Sequence, residues 1–209
     1  MKLSFSTMRL LHDCPHNYIN KITGIEQPES IYLVEGKEAH RIMQKHVSGR
    51  KLHPDFAHIN FKFPIVEEKD FDDRVRFEVP YKDYVIFGFV DGLDKLIPEK
   101  PEDLLEGKFS GSPWSNKKYK DDPQRKIYVW AIRSIKKCHL ITGKRKPEEW
   151  RSNRIKTTSI EVVDKDYADA EKYMDEAIEV LETGDFKTDL VDGKCVDPRC
   201  YWGERCMFK

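Results

Sequence analysis

The run Tyr84-Val85-Ile86-Phe87-Gly88-Phe89-Val90 limits what this chain can fold into more than any other segment, because it carries no charge until Asp91 ends it. It is too short for a buried helix and rich in β-branched and aromatic residues. It therefore predicts a strand, and the lack of polar alternation predicts burial on both faces. Such a strand needs a layer on each side, which points to a mixed α/β fold. Neighbouring segments agree. Phe61, Phe63 and Ile65 alternate with Lys62 and Pro64, and Val75, Phe77 and Val79 alternate with Arg76 and Glu78. Both read as strands, with Pro64 confining the first to an edge. Leu104 to Phe109 makes a further short strand.

The period shifts to that of helices on either side of this block. Ser4 or Ser6 can cap an opening helix through Met8, Leu10 and Leu11 toward Cys14-Pro15 and Tyr18. A second helix starts near Gly36, includes Ala39, His40, Met43 and Val47, and stops at Gly49. Asp122-Pro123 supplies an N-cap and an N1 proline for a helix with apolar residues at Ile127, Ala131, Ile135 and Cys138, which places Cys138 in the core. A strand from Ser159 to Val163 then precedes an amphipathic helix with Tyr167, Ala170, Met174, Ala177, Ile178 and Leu181. The expectation is one α/β domain over residues 1–209, a mixed β-sheet flanked by helices. No run approaches a membrane span and the first residues lack a signal-peptide apolar core, so a soluble, cytoplasmic (or, if viral, intracellular) protein with no membrane partner is expected.

The 37 basic and 37 acidic residues cancel, so net charge decides nothing about a polyanionic partner. Their distribution is more informative. Lys108 to Lys156 holds 15 Lys and Arg against 4 acids, and Glu161 to Asp192 holds 12 acids against 3 Lys. The first is the kind of stretch that a phosphate backbone needs, although charge runs are commonly just solvated faces. Cysteines are also uneven: Cys14 and Cys138 stand alone, while Cys195, Cys200 and Cys206 crowd the last fifteen residues. In a cytosolic setting such clustering points to metal or cluster ligation rather than disulfides.

The candidate chemistry lies in the strand block. Asp91 would present a carboxylate at a strand end, and Glu106 and Lys108, two apart on a strand, would share a face. If the two strands are neighbours, all three converge. Carboxylates with a backbone carbonyl suit a hard divalent cation, and a lysine beside them can orient or deprotonate a water. Asp94 is the rival carboxylate, with Asp91 as a turn residue. On the next helix Gln124 and Tyr128, at i and i+4, share one face, although Tyr128 could equally be core packing.

Gly88-Phe89-Val90-Asp91, Glu106-Gly107-Lys108 and Gln124-Arg125-Lys126-Ile127-Tyr128 resemble, in order and spacing, the GxxD, ExK and QxxxY motifs of RecB-like nucleases of the PD-(D/E)XK superfamily. Gly36-Lys37-Glu38-Ala39-His40 resembles the GxxxH motif of the same group. The resemblance implies a restriction-endonuclease-like fold and a Mg- or Mn-dependent deoxyribonuclease, an exonuclease acting on DNA ends or single strands. It implies that Asp91, Glu106 and the Gly107 carbonyl bind the metal, with His40 as a further ligand or its support. Lys108 would serve the water, and Gln124 and Tyr128 would position lysine and DNA. Basic Lys117, Lys118, Lys120, Arg125 and Lys126 flank these residues and could hold the strand.

The cysteines extend the resemblance. In RecB-like proteins such as AddB and the CRISPR-associated nucleases, one early and three terminal cysteines hold a 4Fe-4S cluster. The likeness thus assigns Cys14, Cys195, Cys200 and Cys206 to such a cluster, formed by residues 1–20 and 190–209, with structural zinc as the alternative. This chain departs in having four residues between Cys195 and Cys200 where that group usually has two. Spacer processing alongside CRISPR adaptation proteins and end resection alongside recombination proteins both fit. A non-catalytic DNA-end-binding or scaffolding subunit is the reading from a different class.

Overall fold

A computed structural model describes residues 1–24, 31–59, 62, 63, 65, 66, 75–95, 97, 99–150, 155–184, 190, 191, 194 and 195, with the backbone alone at 16, 65, 66, 190, 191, 194 and 195. Strand β1 (Lys2–Ser4) runs into α1 (Phe5–Asp13), whose N-terminus is capped by the Ser4 side chain accepting the Thr7 N–H. The chain breaks at Cys14 and restarts as α2 (Pro15–Ile22), the proline taking the first helical position, where no N–H is needed. What the sequence reads as one opening helix is therefore two. Helix α3 (Ile31–Val47) begins five residues before Gly36, and Gly49, at φ +75°, follows its end. Strands β2 (Ile65–Val66), β3 (Arg76–Tyr81), β4 (Tyr84–Phe89) and β5 (Gly92–Leu93) follow; Phe61 and Pro64 of the expected edge strand lie outside the described residues.

Strand β6 (Asp103–Ser110) leads through α4 (Asn116–Lys120) and α5 (Pro123–Ala131) to β7 (Lys137–Lys144). Strand β8 (Lys156–Glu161) then enters α6 (Asp164–Thr183), and β9 (Leu190–Val191) pairs with β10 (Lys194–Cys195). Two larger sheets result. One has the order β1-β4-β3, with β1 parallel to β4; the other has the order β2-β5-β6-β7-β8, in which only β6 and β7 run parallel. A parallel neighbour demands a crossover, and α4 and α5 fill it.

The alternation of β6 and β7 divides the core. Even-numbered Leu104, Cys138 and Leu140 pack with Ile127, Tyr119, Trp130, Met174 and Ala177, on the side of α5 and α6. Odd-numbered Leu105 and Ile141 pack with Ala39, Met43, Val47, Phe56 and Trp150, on the side of α3. The five-stranded sheet is thus covered on both faces, each fully buried Leu, Ile or Met contributing roughly 1.5–3 kcal/mol. The α/β expectation holds, with three further corrections. The helix expected to reach Cys138 ends at Ala131, and Cys138 lies in β7, paired with Leu104 in the central sheet. The strand read as Ser159–Val163 spans Lys156–Glu161, and Val163 is the N-cap residue of α6. Strand β4 is buried on one face only: Ile86 and Gly88 are covered, whereas Phe89 is 41% exposed and lies with Phe87 beneath the Arg76 guanidinium, 5.8 Å from each ring. Among the described residues no helix is long and apolar enough to cross a membrane.

Candidate active site

Asp91 lies where the chain leaves β4 of one sheet for β5 of the other. Because β5 pairs with β6 through Gly92↔Leu105, the carboxylate is delivered beside the middle of β6, which is the adjacency the sequence could only assume. Its Oδ2 accepts the Gly107 N–H at 2.6 Å and is 2.7 Å from His40 Nε2 of α3. Burial works against the charge of Asp91, but His40, the Gly107 N–H and Lys108 outweigh it and hold the carboxyl below its usual range. His40 comes this close because position 107 is glycine. A Cβ there would stand 2.7 Å from Met43 Sδ and 3.0 Å from His40 Cδ2, so the Met43 and His40 side chains would both have to shift. Asp94 is occupied elsewhere, its Oδ1 accepting the Glu102 and Asp103 N–H groups at 2.9 and 3.1 Å, so the rival carboxylate is the turn residue.

Glu106 belongs to the even-numbered row that faces α5 and is buried. Burial pushes its carboxyl up to about 8, with Asp91 and Asp122 adding to the rise against the pull of Lys108. Lys108 shares that face. Its Nζ donates to Glu106 Oε1 at 2.7 Å and to Gln124 Oε1 at 2.5 Å, and stands 3.9 Å from Asp122 Oδ2. Burial disfavours this ammonium too, yet Glu106, Asp122 and Asp91 hold its pKa above the ordinary lysine value. Gln124 in turn donates to the Tyr128 hydroxyl at 2.7 Å, while the Tyr128 ring packs edge-on against Phe77 at 5.4 Å. Tyr128 therefore does both things its helical position allowed.

The folded chain brings His40, Asp91, Glu106, Gly107, Lys108, Gln124 and Tyr128 into one connected cluster. The flanking basic residues divide. Lys117, Lys118 and Lys120 of α4 are exposed, Lys118 Nζ lying 4.3 Å over the Trp114 ring. Arg125 is a correction: it is fully buried, paired with Asp166 at 2.5 and 3.1 Å, and donates to the Tyr119 and Lys120 carbonyls, so it cannot face a strand of nucleic acid. Lys126 is largely covered and paired with Asp169 at 2.7 Å. Two residues of the cluster were overlooked in the sequence. Asp122 appeared only as a cap, and Trp114, with Lys108 Nζ 5.3 Å from its ring, could have been found as an aromatic set among lysines.

Cys14 is buried at the α1–α2 junction; for Cys195 only the backbone is described, and Cys200 and Cys206 lie outside the described residues. Cys138 is buried in β7, and burial pushes its thiol up to about 12, the state of a packed thiol rather than a ligand.

Whether a divalent cation fits can be judged from the donors. Among the described residues no group of three or more His, Cys, Asp and Glu side chains is set to hold an ion. Glu106 Oε2, however, is buried with no hydrogen-bond partner among the described residues, and an orphaned carboxylate oxygen that also feels the charges of Asp91 and Asp122 is the environment that a hard cation satisfies. The fit is that of a partial protein shell completed by water and substrate oxygens.

No protein-family model matches the chain, and the curated proteins hold no match. Solved structures do. A protein from Eubacterium rectale, provisionally named an exonuclease, aligns over 89% of this chain and 83% of its own at 12% identity, with a TM-score of 0.52. LHK-Exo, an alkaline exonuclease from Laribacter hongkongensis, aligns over 88% of this chain and 89% of its own at 15% identity, with TM-scores of 0.48 and, in its complex with dAMP, 0.45. At such identities the likeness is one of fold, and what this chain shares with the Eubacterium rectale protein is its mixed α/β architecture of helix-flanked sheets.

Proposed function

We propose that the chain is a divalent-metal-dependent nuclease that hydrolyses DNA phosphodiesters, working on ends or single strands as an exonuclease. The observation that supports this best is the linked set Asp91, Glu106, Lys108 and Gln124: two buried carboxylates, one with an unpartnered oxygen, beside a lysine fixed by an amide. Asp91 and Glu106, with the Gly107 carbonyl, would hold Mg2+ or Mn2+. Bound there, the ion supplies a Lewis acid for a phosphate oxygen and a water of lowered pKa.

The remaining chemistry belongs to the chain's own groups. His40 keeps Asp91 ionised and oriented through their 2.7 Å contact. Lys108, held as an ammonium by three carboxylates, acts as a donor rather than a base. It orients the attacking water or offsets the charge that builds on the phosphoryl oxygens as water adds and the P–O bond breaks. Gln124 fixes Lys108 from one side and is itself fixed by Tyr128. Exposed Lys117, Lys118 and Lys120 meet the phosphate backbone, which makes binding steeply salt-dependent. The Eubacterium rectale protein, whose provisional name is exonuclease, shares this fold.

End-labelled single- and double-stranded DNA incubated with Mg2+ or Mn2+ tests the reading. Cleavage by the wild-type chain that is abolished by chelator, by Asp91→Asn and by Glu106→Gln is expected. Lys108→Met should keep metal binding while losing most of the rate. Full cleavage by Glu106→Gln would refute the assignment.

The iron-sulfur cluster on Cys14, Cys195, Cys200 and Cys206 is a separate part of the proposal, supported by the sequence resemblance alone, and no catalytic step depends on it. Protein purified without oxygen should be brown with about four iron and four sulfide per chain. Cys14→Ala should bleach it, and colourless protein with one zinc would replace the cluster by a zinc site.

A further inference from the structure

Asp122 is more than the cap of α5. Its Oδ1 accepts the Gln124 N–H at 3.3 Å, which completes the capping role. Its Oδ2 is buried, has no hydrogen-bond partner among the described residues, and stands 3.9 Å from Lys108 Nζ. A buried carboxylate oxygen left without a donor is costly, and the ammonium next to it is spending its hydrogen bonds on Glu106 Oε1 at 2.7 Å and Gln124 Oε1 at 2.5 Å. Lys108 thus lies between two carboxylates and is seated on one of them.

We propose that Asp122 is the second seat of Lys108, the carboxylate that receives its ammonium when a divalent cation occupies Glu106. This rests on the metal-binding role given to Glu106 above. A cation held by the orphaned Glu106 Oε2 would add positive charge on the same carboxylate whose Oε1 Lys108 now uses. The ammonium is then driven away from Glu106, and the nearest open acceptor is Asp122 Oδ2. Closing 3.9 Å to the roughly 2.8 Å of a charge-assisted hydrogen bond needs only a small swing of the lysine tip, with Gln124 Oε1 as the pivot. The arrangement lets one buried site hold its lysine charge both with and without the ion. Asp122 is in this sense a positioning residue, acting through Lys108.

The test reads metal affinity rather than turnover. Mn2+ is titrated calorimetrically into the full-length chain with metal removed, as wild type, Asp122→Asn, Lys108→Met and the double variant. Asparagine caps helices as well as aspartate does, so Asp122→Asn removes the charge and keeps the helix start; unchanged melting verifies this. Asp122→Asn should weaken Mn2+ binding about tenfold, since the displaced ammonium then has no seat. Lys108→Met should bind more tightly than wild type, and adding Asp122→Asn to it should change affinity less than about threefold. An equal loss in both backgrounds would mean that Asp122 acts only as a distant charge, and would overturn the proposal. So would wild-type affinity in Asp122→Asn. Absence of Mn2+ binding by the wild-type chain would instead remove the metal reading of Glu106 itself.

Discussion

Replacing Arg125 by alanine should unfold this protein more readily without touching its hold on DNA. The guanidinium is fully buried and makes two bonds to the Asp166 carboxylate, at 2.5 and 3.1 Å, and two more to the Tyr119 and Lys120 carbonyls, at 3.2 and 2.8 Å. Among the described residues Asp166, also buried, would keep only the Val163 N–H at 3.1 Å. Removing one member of a buried pair leaves the other charge uncompensated and costs roughly 3–5 kcal/mol. In a chain of about this length 1 kcal/mol moves the melting temperature by about 2–4 °C, so a fall on the order of 6–20 °C is expected. Differential scanning calorimetry measures it. Arg125→Met with Asp166→Leu removes both charges together and should recover much of the loss, because apolar replacements of a complete buried pair are often neutral. DNA affinity, measured well below the variant's transition, should equal that of wild type. A variant that melts like wild type but binds DNA several-fold more weakly would refute the structural role and restore Arg125 to the nucleic-acid face.

Three further outcomes are expected. Burial raises the Glu106 carboxyl to about 8 in the metal-free folded chain, above its value in the unfolded one. Its contribution to stability is therefore greatest at low pH and falls as pH rises from the usual carboxylate range through about 8; Mn2+ must displace the proton, so affinity should climb over the same interval, and an affinity flat across it would contradict the burial argument. Gly107→Ala puts a Cβ 2.7 Å from Met43 Sδ, 2.8 Å from Met43 Cε and 3.0 Å from His40 Cδ2, which should cost about 1–3 kcal/mol in urea unfolding and weaken Mn2+ binding through His40; Met43→Ala in the same chain should relieve part of the strain, and an unchanged unfolding midpoint would show that α3 yields freely. Alanine at Lys117, Lys118 and Lys120 together should lower the salt dependence of DNA binding at every sequence while leaving Mn2+ affinity intact; an unaltered slope would place the DNA elsewhere.

What the sequence revealed and what it hid follow one division. Relations set by local geometry were legible: Glu106 and Lys108 share a face because strands alternate, and Gln124 meets Tyr128 because helices turn every 3.6 residues. Relations set by distant partners were not. Arg125 reads as one more cation of a basic stretch, since nothing near it signals Asp166, 41 residues on. Helical spacing continues past Ala131 through Ile135 to Cys138, and no glycine or proline stops it. The stop is tertiary: the Lys136 and Lys137 N–H groups bond the Glu102 carbonyl, and the chain from there pairs with β6 over its whole length. The apolar run of β4 overstated its burial because Arg76, rather than a helix, covers Phe87 and Phe89.

The same alternation explains why the cluster forms across β6 and nowhere else among the described strands. Position 107, on the odd face, must be small so that α3 can approach, and that approach carries His40 to Asp91. Positions 106 and 108, on the even face, must then be the polar ones, and the helix lying over them carries Asp122 and Gln124 at its start. The start of a helix is where unpaired backbone N–H groups favour an acid, so the cap that begins α5 and a charge beside Lys108 come from one residue. Two elements on opposite faces are thereby drawn to one strand by packing needs alone. The cost is a buried acid at 106, raised to about 8 and left with an oxygen unpaired. A fold under no functional demand would place leucine there, as it does at 104 and 140 on the same face. Glu106→Leu combined with Lys108→Met, which removes the buried pair together, should accordingly raise the melting temperature of the metal-free chain while abolishing Mn2+ binding. A fall in melting temperature on that double substitution would show that Glu106 serves the core instead of the site.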